Sequence, residues 1–293
     1  MQNLTEQPLP QLPERDTDSH KGDYGRVLVI AGSRGMAGAA GLTGMAALRS
    51  GAGLVTVATP VGVQDTVASY SPCYTTIPLL EDEYGIVDLG NVIELSSVRN
   101  QYDAWAIGPG LGITEGSTEL VGQLYCDVPC PLVVDADGLN ALAKLVERSP
   151  QILENPAGPR FLTPHPGEFA RLLGEESPTS EEERARKASD FASRDSSGQT
   201  TVVLKGHRTV IARGDEYAVN DTGNPGMATG GTGDCLTGVI AGLAAQGMPS
   251  FEAARLAVHV HGKAGDQAAE KLGQLSLVSS DLLDFLPGAF LSL

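Results

Sequence analysis

Short apolar runs that alternate with helical patterns limit the fold of this chain more than any other feature. Four such runs lie at residues 27–31, 54–58, 104–107 and 132–134, and each is followed by a turn rich in Gly, Pro or Asp and then by a helical pattern. Short, uninterrupted apolar runs indicate buried strands. Because the strands of a parallel sheet need helices on both faces, we predict an α/β fold: a three-layer α/β/α sandwich around a mostly parallel central sheet, with right-handed connections.

Glycine, proline and charged residues gather where these strands end. Further short runs at residues 161–163 and 201–204 add to the set, which comprises Gly32, Gly108, Asp135, Pro164, His165 and Lys205. Ligands of open α/β sheets bind outside the carboxyl ends of the strands. We therefore expect the functional site along that edge.

Two alternating segments near the middle of the chain predict a small hairpin at the sheet edge. They lie at residues 209–212 and 216–219 and are joined by Arg213, Gly214 and Asp215. A short Gly-containing connection between alternating segments is typical of a β-hairpin.

The rest of the sequence indicates a single domain. After Gly233 it is mostly helical, with the longest periodic stretch at residues 251–272, and the polar segment 175–186 indicates a loop that enters a solvated helix. No internal repeat or long linker divides the sequence. We predict an N-terminal arm over residues 1–20, lying along the surface, and a single domain over residues 21–293.

Composition excludes several classes of partner. The chain has 293 residues, with 20 Lys and Arg against 36 Asp and Glu, and its net charge is −16. So acidic a chain is not expected to bind nucleic acid. No stretch approaches the roughly 20 apolar residues that cross a bilayer, and the N-terminus lacks a secretory signal, so we expect a cytoplasmic protein without a membrane partner.

The spacing of the cysteines and of two histidines does not indicate a metal site. The four cysteines show neither a CxxC motif nor paired spacing: Cys73, Cys126, Cys130 and Cys235. Cys126 and Cys130 flank a Val-Pro turn, where we expect two small buried residues, and Cys235 would react only if it were exposed with a lowered pKa. His259 and His261 lie two residues apart on a predicted helix and point to different faces, so they cannot chelate one metal ion together.

A glycine-rich run, TGNPGMATGGTGDCLTG at residues 222–238, carries most of the functional information. A helical pattern at residues 236–245 follows it, so the amides of Gly230, Gly231, Thr232 and Gly233 would be free donors at the positive end of a helix. Such an arrangement forms an anion hole for a phosphate or a transferring phosphoryl group.

Asp234 is the unexpected residue in this run. A carboxylate beside a phosphate site repels the phosphate, which favours a role in removing a proton or binding a hydroxyl group. The alternative is that Asp234 only caps the helix, since Asp is common at that position.

The same run resembles the signature loop of the bacterial ADP-dependent NAD(P)H-hydrate dehydratases, a ribokinase-like family. Four further segments fit that family in the same order, namely the 40 residues from Lys21, AIGPGLG from Ala106, LTPHPGEFARLLG from Leu162 and VLKGHRTVIA from Val203. Together they cover roughly residues 15–290. Some members carry an epimerase domain before the dehydratase, and too few residues precede Lys21 here to hold one, so we expect the stand-alone form.

The resemblance implies roles for individual residues. Asp234 would be catalytic, and the hydrated NAD(P)H would contact Ala39, Ala40, Gly110, His165 and Asp234. The nucleotide, ADP or its product AMP, would contact Lys205, Gly206, His207, Arg208, Thr209 and Gly233. The same residues also have structural explanations. Small residues at 39 and 40 suit close packing of a helix on the sheet, and a Lys or Arg at a turn is often merely solvated.

The implied activity is repair of a damaged cofactor. The family dehydrates the S epimer of hydrated NADH or NADPH back to NAD(P)H and converts ADP to AMP and phosphate. Mg²⁺ as a cofactor and a homo-oligomer, with a tetramer favoured, are also implied, although no motif identifies metal ligands or decides between NADH and NADPH hydrates.

Two other functions fit the same loop. A ribokinase-like kinase would leave a stable phosphorylated product, and a nucleotide-sensing module would bind without turnover. A dinucleotide-binding fold is not indicated, because the glycines of GSRGMAG fall at positions 32, 35 and 38 and do not spell GxGxxG.

Overall fold

A computed structural model describes residues 1–12 and 14–293. Its strands all belong to one sheet: β1 (Gln2–Asn3), β2 (Arg26–Ile30), β3 (Leu54–Pro60), β4 (Thr75–Leu79), β5 (Ala104–Ile107), β6 (Leu132–Val134), β7 (Arg160–Leu162), β8 (Thr200–Leu204), β9 (Val210–Arg213) and β10 (Glu216–Val219). The strand order is β1-β10-β9-β8-β7-β6-β5-β2-β3-β4.

The helices fill the connections between the strands and the C-terminal part of the chain. They are α1 (Ala37–Arg49), α2 (Gln64–Tyr70), α3 (Val92–Val98), α4 (Glu115–Asp127), α5 (Asp137–Arg148), α6 (Pro166–Leu173), α7 (Glu181–Ala192), α8 (Thr232–Ala245), α9 (Ser250–Leu272) and α10 (Ser279–Leu291).

The sheet is mostly parallel, as predicted. Strands β2 to β8 all run in one direction, while β9 pairs antiparallel with both β8 and β10. The hairpin is therefore confirmed, and the two-residue strand β1 adds in parallel to its outer side. Leu4, which follows β1, is buried. The division into an arm and a single domain stays a prediction.

Alternating side chains of each strand feed two separate cores. In β2, Val27 and Val29 pack toward α1, α2, α8, α9 and α10, whereas Leu28 and Ile30 pack toward α3 to α7. Both faces of the strand are fully buried. Burial of both faces explains the uninterrupted apolar run, because such a strand has no face in contact with solvent where polar residues would be favoured. The three-layer sandwich is confirmed.

Several boundaries differ in detail from the sequence patterns. The predicted helix at 236–245 begins one turn earlier, at Thr232, and the long periodic stretch is α9.

Cys126 is exposed and Cys130 only partly buried, so the expectation that both are buried is wrong. Cys126 lies at the end of α4, and Cys130, in the loop before β6, packs against the margin of the core on the α3 to α7 side without being fully buried. Cys235 is buried, and burial raises the pKa of its thiol, which makes it unreactive.

Within the described residues, none of the helices is both long enough and apolar enough to span a membrane.

Candidate active site

The carboxyl ends of β6 and β8 bring a carboxylate and an ammonium group together with the start of α8. Asp135 follows β6 and Lys205 follows β8, and Lys205 Nζ donates to Asp135 Oδ1 at 2.7 Å. The hydroxyl of Thr237, in α8, donates to Asp135 Oδ2 at 2.7 Å. Both carboxylate oxygens of this buried residue are thereby engaged.

The first turn of α8 has the free amides that an anion hole requires. The left-handed residue Gly231 (φ 92°) is the N-cap, and the first helical bond runs from the amide of Cys235 to the carbonyl of Gly231. Among residues 1–12 and 14–293, the amides of Gly230, Gly231, Thr232 and Gly233 donate to no protein acceptor. A β-carbon placed on Gly233 would lie 3.2 Å from Lys205 Nζ, so the lysine faces the same turn.

Asp234 is the third residue of α8 and does not cap it. The capping interpretation is therefore wrong, because the N-cap is Gly231 and no side chain accepts a capping bond there. Burial, together with the negative charge of Asp135, raises the pKa of Asp234 to about 6, although Lys205 acts in the opposite direction. A carboxylate with such a pKa accepts a proton more readily near neutral pH than an ordinary Asp does.

His165 and Glu168 form the N-terminal cap of α6. His165 Nδ1 accepts the amides of Gly167 and Glu168 at 3.0 and 3.3 Å, and the backbone N–H of His165 donates to Glu168 Oε2 at 2.8 Å. Because Nδ1 is an acceptor here, the proton of the neutral ring lies on Nε2, which is 3.3 Å from Glu168 Oε1. The ring thus has a structural role, and the predicted substrate contact of His165 stays a prediction.

Glu168 also belongs to the charged group around Lys205. Its Oε2 lies 4.0 Å from Lys205 Nζ. Burial raises the pKa of Glu168 to about 7, with Lys205 partly compensating. Although burial by itself would lower the pKa of Lys205, the carboxylates of Asp135 and Glu168 raise it, so the lysine is charged.

The predicted substrate residues of α1 meet the turn that follows β5. A β-carbon on Gly110 (φ +59°) would lie 2.9 Å from the Cβ atoms of Ala39 and Met36. Ala39 is partly exposed, whereas Ala40 is fully buried in the core, so the packing interpretation holds for the Ala40 side chain. One turn beyond Ala39, Leu42 lies near Gly231, where an added β-carbon would be 2.7 Å from Leu42 Cδ1, so this surface lies beside the first turn of α8.

The predicted nucleotide residues line one cavity of about 610 Å³. Lys205, Gly206, His207, Arg208, Thr209 and Gly233 all contribute to its wall, together with the segment 220–225 and residues of α8 and α9. Ala39, Gly110 and His165 are not part of this wall. The predicted site residues thus form two groups, those that line this cavity and those that do not.

Two further residues support this cavity and were not predicted. Arg184 of α7 donates to the carbonyls of Leu204 and His207 at 3.0 and 2.8 Å, and so holds the turn that follows β8. His261 of α9 is buried, and its Nε2 donates to the carbonyl of Thr232 at 2.9 Å. Burial lowers the pKa of His261 to about 4, so the ring is neutral.

Of the residues that sequence reasoning missed as site residues, Asp135 had the clearest signal. It is the first residue after a central apolar run, and in VDADGLN it precedes a helical pattern. Glu168 lay inside the quoted HPGEF segment and Thr237 at the end of the glycine-rich run. Arg184 and His261 had no sequence signal, because their contacts reach segments more than 20 residues away.

The described residues contain no preformed cluster for a metal ion. Within the part of the chain that the structure describes, no group of three or more His, Cys, Asp or Glu side chains could hold one.

The model of the NAD(P)H-hydrate dehydratase family matches residues 27–287. The chain belongs to this family. The match covers both residue groups and all ten helices except the end of α10. The ribokinase-like fold that the resemblance implied is confirmed together with the family.

Individual members of the family are similar over nearly the whole chain. The bifunctional NAD(P)H-hydrate repair enzyme Nnr of Moorella thermoacetica is 47% identical over 94% of this chain, which spans 51% of that protein. The ADP-dependent (S)-NAD(P)H-hydrate dehydratase of Bacillus subtilis is 37% identical over 94% of this chain and 92% of that protein. The chain therefore spans about half the length of the bifunctional relatives that it matches.

A solved member of the family has the same architecture. The crystal structure of the ADP/ATP-dependent NAD(P)H-hydrate dehydratase from Bacillus subtilis, co-crystallised with ATP and Mg²⁺, has a TM-score of 0.77 and 34% sequence identity. The similarity covers 96% of this chain and 94% of that one.

Proposed function

We propose that this protein dehydrates the S epimer of hydrated NADH or NADPH to NAD(P)H, with ADP converted to AMP and phosphate. The observation that carries the proposal is the first turn of α8, where four amides are free, the Lys205 ammonium group lies beside Gly233, and Asp234 is the next residue. A binding module has no need of a carboxylate next to its phosphate site. A phosphoryl-transfer enzyme needs one to deprotonate the attacking hydroxyl group.

The reaction begins at the hydroxyl group of the hydrated ring. Asp234 accepts the hydroxyl proton as the oxygen attacks the terminal phosphorus of ADP, and the bond between that phosphorus and the bridging oxygen breaks to release AMP. The amides of Gly230 to Gly233 stabilise the charge that develops on the transferred group. Hydroxide is a poor leaving group, so this step converts it into a phosphate ester.

Elimination completes the repair. The bond between the ring carbon and the phosphate oxygen breaks, and a proton leaves the neighbouring ring carbon, so that the double bond of the dihydropyridine forms again. The products balance as NAD(P)H, AMP and phosphate. The surface formed by Ala39 and Gly110 beside Gly231 is where we place the nicotinamide ring, since it adjoins the transferred phosphoryl group.

The nucleotide occupies the cavity of about 610 Å³, which Thr232, Gly233 and Leu236 of α8 help to line. Lys205 lies between this cavity and the amides, so its charge faces the terminal phosphate. Gly206 to Thr209 line the wall, and Arg184 holds their backbone.

Mg²⁺ fits this site as an ion held mainly by phosphate. The ion binds through one or two carboxylates, water and substrate phosphates rather than in a protein cage, which agrees with the lack of a carboxylate cluster among the described residues. The buried carboxylates near Lys205 are already engaged, Glu168 by the backbone N–H of His165 and Asp135 by Lys205 and Thr237, so phosphate oxygens and water would supply most of the ligands. When bound, the ion would neutralise part of the phosphate charge.

We propose further that ADP is preferred over ATP, that the protein is cytoplasmic, and that it forms a homo-oligomer, with a tetramer favoured. The family resemblance supports these three points.

Recovery of reduced nicotinamide absorbance tests the function. Purified protein is mixed with hydrated NADPH and Mg²⁺, with ADP, with ATP or without nucleotide, and the products are separated. We expect recovery that requires ADP, with AMP and phosphate as products. A phosphorylated product that persists would instead identify a kinase, and binding of nucleotide without turnover would identify a sensor.

Variants at Asp234 complete this test. Asp234→Ala should lower the rate by on the order of a thousandfold, because both a general base and its positioning are removed. Asp65→Ala is the matched control, since Asp65 also lies in the first turn of a helix but is exposed and is not among the residues that line the cavity. An Asp234→Ala variant with full activity would refute the assignment.

A further inference from the structure

The carboxylate of Asp135 is buried and engaged by other protein groups. Its Oδ1 accepts Lys205 Nζ, its Oδ2 accepts the hydroxyl of Thr237, its amide donates to the carbonyl of Ile107, and its carbonyl accepts the amide of Gly138. The side chain is only 1% exposed. A carboxylate with both oxygens engaged and no access to solvent does not meet a ligand directly, so any effect on the reaction passes through its partners.

Lys205 depends on Asp135 for its position. A lysine side chain has four rotatable bonds, and two carboxylates compete for this one: Asp135 at 2.7 Å and Glu168 at 4.0 Å. The closer contact keeps Nζ beside Gly233, where a β-carbon would be 3.2 Å away. Without the charge of Asp135, the ammonium group would be drawn toward Glu168, at the N-terminus of α6, and away from the free amides.

Thr237 connects this ion pair to the helix that carries the anion hole. It lies one turn after Gly233 on α8, and its fully buried hydroxyl bonds to Asp135. The ammonium group, the carboxylate and the four amides are therefore fixed relative to one another across β6, β8 and α8.

The backbone around Asp135 is held in an unusual conformation. Ala136 has φ 49° and ψ −118°, a combination that L-residues rarely adopt. The preceding turn approaches so closely that a β-carbon on Gly108 would lie 1.9 Å from the carbonyl oxygen of Asp135. A strained backbone of this kind persists only where the surrounding contacts hold it in place. Here those contacts fix the position of the Asp135 carboxylate.

We infer that Asp135 is a positioning residue for phosphoryl transfer, which anchors the Lys205 ammonium group beside the free amides of α8 with the help of Thr237. The inference rests on the proposed function, because it assumes that a terminal phosphate binds at those amides. It assigns to Asp135 and Thr237 an effect on the rate of transfer rather than on capture of the nucleotide.

The test compares Asp135→Asn, Lys205→Met, the double variant and two variants of Thr237. Asn keeps the shape of Asp: its amide oxygen can accept from Lys205 and its NH₂ group can donate to the Thr237 hydroxyl, so the fold should survive, which thermal unfolding checks. We expect Asp135→Asn to lower kcat by about 100-fold, the size of effect known for a misplacement of about 1 Å, with a much smaller change in KM for ADP.

Coupling between the two residues separates positioning from a purely structural role. If Asp135 acts through Lys205, the double variant should be no slower than Lys205→Met alone. Thr237→Val should slow transfer, and Thr237→Ser, which restores the hydroxyl, should recover most of the rate. Independent effects that multiply in the double variant, or full activity in Asp135→Asn, would overturn the inference.

A second readout does not need turnover. The ³¹P NMR shift of the terminal phosphate of bound ADP should change in the same way in Asp135→Asn and in Lys205→Met, and should stay near the wild-type value in Thr237→Ser. If the wild type lacks dehydratase activity but shows this pattern, the proposed function fails and the positioning role stands. An unchanged shift in Asp135→Asn refutes the positioning role whatever the activity.

Discussion

His165 and Glu168 exchange hydrogen bonds across the first turn of α6: the amide of His165 donates to Glu168 Oε2, and the amide of Glu168 donates to His165 Nδ1. Two titratable residues of the HPGEF segment are thus one capping unit. Its carboxylate is buried and lies close to Lys205.

This cap predicts a pH-dependent stability. Burial raises the pKa of Glu168 from 4.5 to about 7, so the folded state binds the proton more tightly than the unfolded state does. The resulting stabilisation is complete below pH 4.5 and is lost as the pH rises toward 7. Relative to Glu168→Gln, which cannot ionise, the wild type should lose up to about 3 kcal/mol of unfolding free energy over this range. Urea unfolding at several pH values measures it, and a constant difference would contradict it.

The pKa of Asp234 predicts the acid limb of the activity. The carboxylate must be ionised to accept the hydroxyl proton, and its pKa of about 6 places the loss of rate below that pH. Because a terminal phosphate also titrates near pH 6, ADP must be saturating and its affinity measured at each pH. We expect kcat to fall tenfold for each pH unit well below 6. A rate that stays constant down to pH 4.5 would rule out Asp234 as the base.

Gly110 predicts a steric requirement at the proposed substrate surface. A β-carbon there would meet Ala39 and Met36 at 2.9 Å, and φ is +59°. We expect Gly110→Ala to lower kcat/KM for the hydrate at least tenfold, in steady-state assays, because Ala39 would be displaced.

Gly174→Ala is the matched control for this prediction. Gly174 also has positive φ, at +72°, but nothing lies within 4 Å of its β-carbon position. It should cost about 1 kcal/mol of stability through the left-handed backbone and leave kcat/KM unchanged. Equal losses of activity in the two variants would show that backbone strain, and not contact with Ala39, is responsible.

Substitution of Arg184, which does not line the cavity, is expected to weaken nucleotide binding. Its guanidinium group holds the carbonyls of Leu204 and His207. Arg184→Met should weaken ADP binding roughly tenfold, since charged hydrogen bonds of this kind contribute about 1.5 kcal/mol or more. Arg186→Met, on the same helix but exposed and paired with Asp190, should leave the Kd unchanged. Calorimetric titration distinguishes them, and equal Kd values would remove the role given to Arg184.

Substitution of Arg160 is expected to lower the stability of the fold strongly without affecting catalysis. It is fully buried, and it donates to the carbonyls of Tyr125 and Val128 at 2.8 and 2.7 Å, at the C-terminal end of α4. Arg160→Met would leave these carbonyls without partners, at a cost of about 3 kcal/mol. Chemical unfolding should show this loss, while Arg148→Met, which breaks an exposed ion pair with Glu115, should leave the midpoint unchanged. A stable Arg160→Met variant would mean that water replaces the guanidinium group.

Local patterns of the sequence determined the layers, the parallel core strands, the hairpin and the free amides at the start of α8. Each depends on residues within about ten positions of one another: apolar runs in strands covered on both faces, Gly-containing turns, and free amides where a glycine run enters a helix. The resemblance to a family added the assignment of residues to ligands.

Only the tertiary structure decided how these pieces act together. Asp135, Lys205 and Thr237 lie on three different elements, and Arg184 and His261 support loops far from them in sequence. It also decided that His165 caps α6, that Ala40 belongs to the core, and that Asp234 does not cap its helix. The physical reason is that periodicity and spacing report local backbone geometry, whereas burial, ion pairing and pKa depend on which distant segments the fold brings within a few ångströms.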